Sequence, residues 1–237
     1  MIKGTPELIA GRREEIINAC EKLYETMSFR EITLKEIGSE VPFSRPTIYN
    51  YFQTKEEIFL ALYTREYDRW NEDLGRILEE HDALTPEQLA DKLAASVSRR
   101  GQLLKLLAMN NYDMEANSRQ EMLTEFKSSY GKSMKLVGEL LRKYCTEMTE
   151  ESIQQFIYMF FPFMFGIYPY SNVTEKQKTA MEEAGTGFIE HTPYELTYRF
   201  LIRNLKKQHF VSNEKFSGIR EKIYSENAQS LPSRSTD

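Results

Sequence analysis

The sequence predicts an all-α fold, and three observations carry that reading. Apolar residues recur at three- and four-residue spacing along most of the chain. Helix-start signatures are written repeatedly, as Thr followed three residues later by Glu or Gln. Gly and Pro are scarce for a chain of 237 residues, at 11 and 8, which disfavours a turn-rich all-β protein. No stretch alternates apolar and polar residues long enough to make a strand.

The elements follow in order. Ile16, Cys20, Leu23, Tyr24 and Met27 share one face of a first helix. Leu34, Ile37 and Val41 mark a short second helix, and Ile48 and Phe52 anchor a short third. Phe59, Leu62, Tyr63, Trp70, Leu74, Ile77 and Leu78 mark a long fourth helix starting near Lys55. Further helices are expected near 86–108, 118–145, 150–168, 175–184 and 193–208, with breaks at Asn110-Asn111 and Asn117-Ser118. Capping boxes are read at Thr33/Glu36, Thr54/Glu57, Thr85/Gln88, Thr174/Gln177 and Thr192/Glu195. In each, a hydroxyl and a carboxylate or amide satisfy backbone N–H groups that the first turn leaves unpaired. Pro86 and Pro193 add the residue type favoured at the first helical position. Phe216, Ile219, Ile223 and Tyr224 keep a helical spacing, and from Glu226 the apolar content falls to that of a disordered end.

Composition narrows the function. With 41% hydrophobic and 28% charged residues the chain is an ordinary soluble one, long enough to bury a core without disulfides or a structural metal. The net charge is −5, and residues 1–60 hold eight Lys and Arg against ten Glu. Any nucleic-acid surface must therefore be a local patch. Cys20 and Cys145 sit in helical patterns and read as reduced thiols packed as small hydrophobes. His81, His191 and His209 are too widely spaced to chelate a metal and read as surface or capping residues. No secretory apolar segment opens the chain. The most apolar run, 156–170, is broken by Pro162, Gly166 and Pro169 and is shorter than the ~20 residues of a membrane span. A cytoplasmic protein with no membrane partner and no cofactor is expected. The chain has no Gly-x-Ser-x-Gly elbow, phosphate-binding Gly loop, His-Glu-x-x-His or Cys-x-x-Cys, so it is not read as an enzyme.

The informative window is Thr33 to Lys55, TLKEIGSEVPFSRPTIYNYFQTK. Two short helices flank a tight connection at Val41-Pro42-Phe43, and the second starts at Ser44 with Pro46 in its first turn. That is a helix-turn-helix, whose second helix can lie in the DNA major groove. From Val41 to Lys55 there is no acidic residue, while Arg45 and Lys55 are basic. Arg45 can pair with guanine O6 and N7, and the Thr47 methyl can touch a thymine methyl. Tyr49, Asn50 and Tyr51 offer neutral donors to phosphate oxygens, and Lys55 can reach the flanking backbone.

The same residues resemble the TetR family of bacterial transcriptional repressors. The pattern is Phe29-x-x-Ile32-Thr33-x-x-x-Ile37, then Ser44-x-Pro46-Thr47-Ile48-Tyr49-x-Tyr51-Phe52-x-x-Lys55-Glu56-Glu57-Ile58. It covers about residues 10–62. The resemblance implies a three-helix DNA-binding head, an all-α ligand-binding and dimerisation body, and a two-fold dimer on a palindromic operator, released by a small molecule. By position Thr47 matches the family's base-reading helix, Tyr49, Tyr51 and Lys55 its phosphate-contacting positions, and Lys35 a second-helix position near DNA. With the caps Thr33 and Ser44, with Pro46 and with Arg45 and Asn50, these complete the expected DNA-binding set. Pro42 departs from the family pattern, standing where Gly is usual. Gly there supplies a positive φ that Pro cannot adopt, so the turn must be built differently.

Beyond Leu62 the reading rests on organisation. The body is rich in Met and aromatics, which suit an adaptable apolar pocket. The residues expected to line one are Trp70, Met109, Tyr112, Met122, Phe126, Tyr130, Phe156, Met159, Phe160 and Phe163. The segment 156–168 is apolar all round and needs cover on several sides; a helix bundle shared in a homodimer, with the 193–208 helix as second partner, would provide it. The expected division is a head at 8–54, a body at 55–210 and a C-terminal extension at 211–237. The rival to a DNA-binding regulator is a helical adaptor that binds protein and has lost DNA binding.

Overall fold

The computed structural model describes residues 5–109 and 111–206. Asn110, His209, the helix expected around 216–224, the end expected to be disordered from Glu226 and the whole 211–237 extension lie outside them. Among the described residues all regular structure is helical.

The head is three helices: α1 (Pro6–Thr26), α2 (Leu34–Ser39) and α3 (Arg45–Ile48). α1 starts well before its first core residue, because Thr5 caps it by accepting from the Leu8 N–H and Pro6 fills its first turn. Ile16, Ile17, Cys20, Ile32, Ile37, Ile48 and Phe52 close the head core. α2 ends before Val41, two residues short of the expected face. The turn through Pro42 uses no left-handed residue: among the described residues only Gly185 and Gly187 have positive φ. The connection is thus built as the proline demanded. α2 and α3 also cross closely at Gly38, where an added Cβ would stand 3.6 Å from both Arg45 Cβ and Ile48 Cδ1.

The body hangs on α4 (Lys55–Glu80). It continues with α5 (Pro86–Ser98), α6 (Gly101–Leu107), α7 (Asn111–Ala116), α8 (Gln120–Tyr144), α9 (Glu150–Ser171), α10 (Glu175–Glu183) and α11 (Pro193–Lys206). α4 packs against α1 at one end and along α8 thereafter; α9 lies on α6 and α8, and α11 lies on α5 and α9. His81 ends α4, its Nδ1 3.2 Å from the Ile77 carbonyl. Cys20 and Cys145 are buried free thiols, raised by burial.

Three expected boundaries are corrected. The helix expected over 86–108 is two, because Arg100 leaves helical geometry (φ −101°, ψ 50°) and its guanidinium reaches Asp73 on α4, with Nε at 2.7 Å. Gly101, a weak helix former, opens the second piece. A short helix, α7, occupies the interval left between the two Asn breaks. α9 runs three residues past 168 and carries Pro162 and Pro169 inside it, both rings exposed. Each proline costs one helical hydrogen bond, and water can reach the freed carbonyls.

The Thr-led starts are all real helix caps. Thr85/Gln88 and Thr174/Gln177 form the reciprocal box, as do Thr192 and Glu195. Two differ. Glu36 bonds the Thr33 hydroxyl rather than its N–H, and Glu57 bonds the Gln53 N–H at 2.7 Å. Thr149 caps α9 in the same way, through the Ser152 N–H.

Candidate functional site

α3 is a single turn, continued by turns in which the Asn50 and Tyr51 N–H groups bond Thr47 and Ile48 carbonyls. Ile48, Tyr51 and Phe52 fix it to the core, and Tyr49 and Asn50 between them face outward. Ser44, Arg45, Pro46, Tyr49 and Asn50 are exposed and Thr47 is half-buried. Tyr49, at 48% exposure, is a large aromatic left in water beside a cation. Arg45 Nη2 lies 3.5 Å from the Tyr49 hydroxyl, and the Ser44 and Thr47 hydroxyls are 3.0 Å apart. Ser44 therefore stands at the N-cap but spends its hydroxyl on Thr47 rather than on the backbone. On α2, Lys35 and Thr33 are exposed next to this surface, Thr33 accepting from the Lys35 and Glu36 N–H groups. The result is a small face rich in hydroxyls and amides, with Arg45 and Lys35 as its cations.

Two members of the expected DNA-binding set are committed elsewhere. The Tyr51 ring is 8% exposed and belongs to the head core. The Lys55 ammonium donates to the carbonyls of Phe29 and Ile32 at 2.8 and 3.1 Å and lies 4.1 Å from the Phe29 ring centroid. It closes the loop between α1 and α2, whose carbonyls would otherwise lack donors.

The head is joined to the body by charged groups, most of them far apart in the sequence. Arg65 on α4 bonds Glu14 and Glu21 of α1, Arg69 bonds Glu21 and Glu66, and Arg13 bonds Glu125 of α8 at 2.9 Å. Lys105 of α6 donates to the Tyr24 and Met27 carbonyls at the end of α1. Just after the turns that follow α3, Glu57 is 1% exposed. It accepts from the Gln53 N–H, from Arg119 Nε at 2.7 Å, from Arg119 Nη2 at 2.9 Å and from the Arg119 N–H at 3.1 Å. Burial would raise the Glu57 carboxyl; the Arg119 guanidinium and the two amides outweigh it and hold the group below the ordinary value.

In the body, five of the expected pocket residues gather in one aromatic array. Phe126 and Tyr130 of α8 meet Tyr63 and Tyr67 of α4, with Tyr63–Phe126 centroids at 4.8 Å and Tyr67–Tyr130 at 5.5 Å. Tyr130 meets Phe161, and Phe161 meets Trp70 and Phe160, which in turn meets Phe156. Tyr63 and Tyr67, absent from the expected set, are its centre. The Tyr63 hydroxyl and Asn71 Oδ1 are buried there without a hydrogen-bond partner. Tyr112, at 83% exposure, and Met159, at 41%, face outward instead. Met122 is buried, Met109 is half-buried, and Phe163 stacks on Phe200 of α11 at 4.2 Å. An apolar cavity of about 430 Å³ lies elsewhere, between the end of α9 and α10, lined by Pro169, Tyr170, Val173, Met181 and Phe188 among others. None of the ten expected residues lines it. Among the described residues no His, Cys, Asp or Glu cluster could hold a metal, and no helix is long and apolar enough to cross a membrane.

A helix-turn-helix head is joined through one long helix to an all-α body, and comparison with known proteins assigns both parts. Residues 64–199 match the model of the tetracyclin repressor-like C-terminal domain, and residues 16–62 that of the bacterial regulatory proteins of the tetR family. The chain belongs to the TetR family of transcriptional regulators. It is 30% identical over 74 residues to the HTH-type transcriptional regulator HbdR of Aromatoleum sp. (strain CIB), a match to 31% of this chain and 32% of HbdR. The matched part is thus about a third of that relative's length. The fold resembles the fatty acid degradation regulator FadR of Bacillus halodurans, with TM-score 0.56 at 16% identity, over 89% of this chain and 100% of that one. It also resembles FadR of Bacillus subtilis solved with stearoyl-CoA, with TM-score 0.52 at 16% identity, over 81% of this chain and 96% of that one.

Proposed function

We propose that the protein is a repressor that binds a palindromic operator as a homodimer and leaves it when a small apolar effector enters the body. The observation that carries this is the acid-free outward surface from Val41 to Lys55 on a protein of net charge −5. The exposed cations Arg45 and Lys35 give that face a local attraction for phosphate. Arg45 and Thr47 read base edges; Tyr49, Asn50, Ser44 and Lys35 position the head on phosphates. Pro46 sets the first turn and Thr33 orients α2. Tyr51 and Lys55 support that surface from behind. The head spans 8–54 and the body 55–210.

The dimer reading is supported by what α9 leaves uncovered. Tyr158, Met159 and Pro162 stand exposed on it, next to the half-buried Phe163–Phe200 pair. α9 and α11 from two copies would bury this apolar strip, and two-fold symmetry demands an inverted-repeat operator. The effector reading rests on the array around Tyr63, whose unpaired hydroxyl and the unpaired Asn71 oxygen are unfavourable in an apolar interior. A fold shared with a protein solved with stearoyl-CoA makes an apolar occupant the natural one. The test selects bound duplexes from a random DNA library with the wild-type protein. An inverted repeat is expected; retention of no duplex at low salt would favour the protein-binding adaptor.

A further inference from the structure

The recognition turn is held from the body, and one side chain does most of the holding. After Asn50 the chain must leave the outward face and enter α4. Two groups on this stretch bond the junction between α7 and α8, and a third reaches it through Glu57 of α4. The Tyr51 carbonyl accepts from Arg119 Nη2 at 3.1 Å. The Gln53 N–H donates to Glu57, and Glu57 is gripped by Arg119 through Nε, Nη2 and the backbone N–H. The Thr54 hydroxyl donates to the Asn117 carbonyl at 2.9 Å. The planar guanidinium fork is what lets one residue serve a carboxylate and a carbonyl together; an ammonium at that position cannot hold the same geometry. Other ties between head and body, such as Arg65–Glu21 and Lys105–Tyr24, reach α1. The Arg119 tie, with the Thr54–Asn117 bond beside it, reaches instead the segment that follows the base-reading residues.

We infer that Arg119 is a positioning residue for operator recognition, acting through the Tyr51 carbonyl and Glu57 to set the recognition turn. This rests on the reading of the head as a DNA-binding surface. It also supplies a short route to it from the body: α8 carries Arg119 just before its first turn, and Phe126 and Tyr130 of the aromatic array further along. A shift of α8 at that array moves the anchor of the turn without passing through the length of α4.

The test uses the full chain and an operator duplex selected by the wild-type protein. Arg119→Lys keeps the charge and loses the fork. Its affinity for the selected duplex is expected to fall about tenfold or more, the scale of one charged hydrogen bond. Binding to a scrambled duplex at low salt, which depends on phosphate contacts, should stay within about twofold. Arg119→Met with Glu57→Met removes the buried charge along with its partner, so that folding is not compromised by a stranded carboxylate. That double variant should show the same selective loss, and it decides the matter if Arg119→Lys fails to fold. Wild-type affinity for the selected duplex in a folded variant would overturn the positioning role. Equal loss on both duplexes would also overturn it, showing a merely structural residue. A wild-type protein that selects no duplex would instead sink the DNA-binding reading on which the inference stands.

Discussion

The outward face of the head and the aromatic array of the body commit their side chains in opposite ways. Around α3, one buried residue in four positions anchors a turn whose other side chains touch water and one another: Arg45 with Tyr49, Ser44 with Thr47. Around α4, α8 and α9, nearly every ring meets two or more others, and Trp70, Tyr63, Tyr67, Phe156 and Phe160 are almost wholly buried. The first region leaves its polar side chains on offer to a partner. The second buries its rings against one another and holds the Tyr63 hydroxyl and Asn71 Oδ1 buried without a partner. A substitution in one region should therefore read out in DNA binding, and in the other in folding or in effector affinity.

The largest effect should come from the array. Trp70→Ala is expected to cost about 3–5 kcal/mol of stability, the range for a buried aromatic reduced to a methyl, measured by urea denaturation. Arg45→Ala, by contrast, should leave stability within about 0.5 kcal/mol and lower operator affinity by about 1–3 kcal/mol with relaxed sequence preference. A mobility-shift titration on matched and mismatched duplexes reads both. If Arg45→Ala destabilised the fold or left preference intact, the contrast between the regions would break.

Tyr63→Phe sharpens the same contrast from inside. Its hydroxyl is buried without a partner, so its removal should leave stability unchanged or raise it by up to about 1 kcal/mol. Affinity for an effector found by thermal-shift screening should nonetheless fall. A clear destabilisation would show that the hydroxyl is already satisfied.

The smallest effect concerns pH. Glu57 is held below its ordinary value of 4.5 in the folded state, against the opposing effect of its burial, by Arg119 and two amides. A depressed folded value means the ionised group stabilises the fold above its unfolded value and loses that contribution as pH falls through the folded one. Wild type should thus exceed Glu57→Gln in urea midpoint near neutrality, with the gap narrowing in acid below 4.5. A constant gap would show that Glu57 gives nothing through its charge.

Local signals were legible; pairings across the chain were not. Thr85/Gln88 and Thr174/Gln177 could be read as caps because both partners lie within one turn. The helix-turn-helix was legible because its residues are contiguous, and Pro42 announced a turn without a left-handed residue. The Lys55 bonds were not legible, because a phosphate and a backbone carbonyl attract the same ammonium and only the fold places Phe29 and Ile32 in reach. Arg119 was invisible for the same reason: Glu57 lies 62 residues away. Tyr112 and Phe126 looked alike as aromatics in a Met-rich stretch, but α7 turns one outward while α8 turns the other into the array. Arg100 split a helix that periodicity had continued, because its partner Asp73 sits on another element.

The central claim is that the α2–α3 face of two symmetry-related heads reads DNA. Its most direct measurement is sedimentation of the protein on a duplex selected by the wild-type chain, together with footprinting of the bound strand. Two protomers per duplex are expected, with two protected half-sites in inverted repeat, their centres about one helical turn (~34–36 Å) apart or a multiple of it. Protection of a single half-site by one protomer, or protection that persists unchanged in Arg45→Ala and Thr47→Ala, would contradict it.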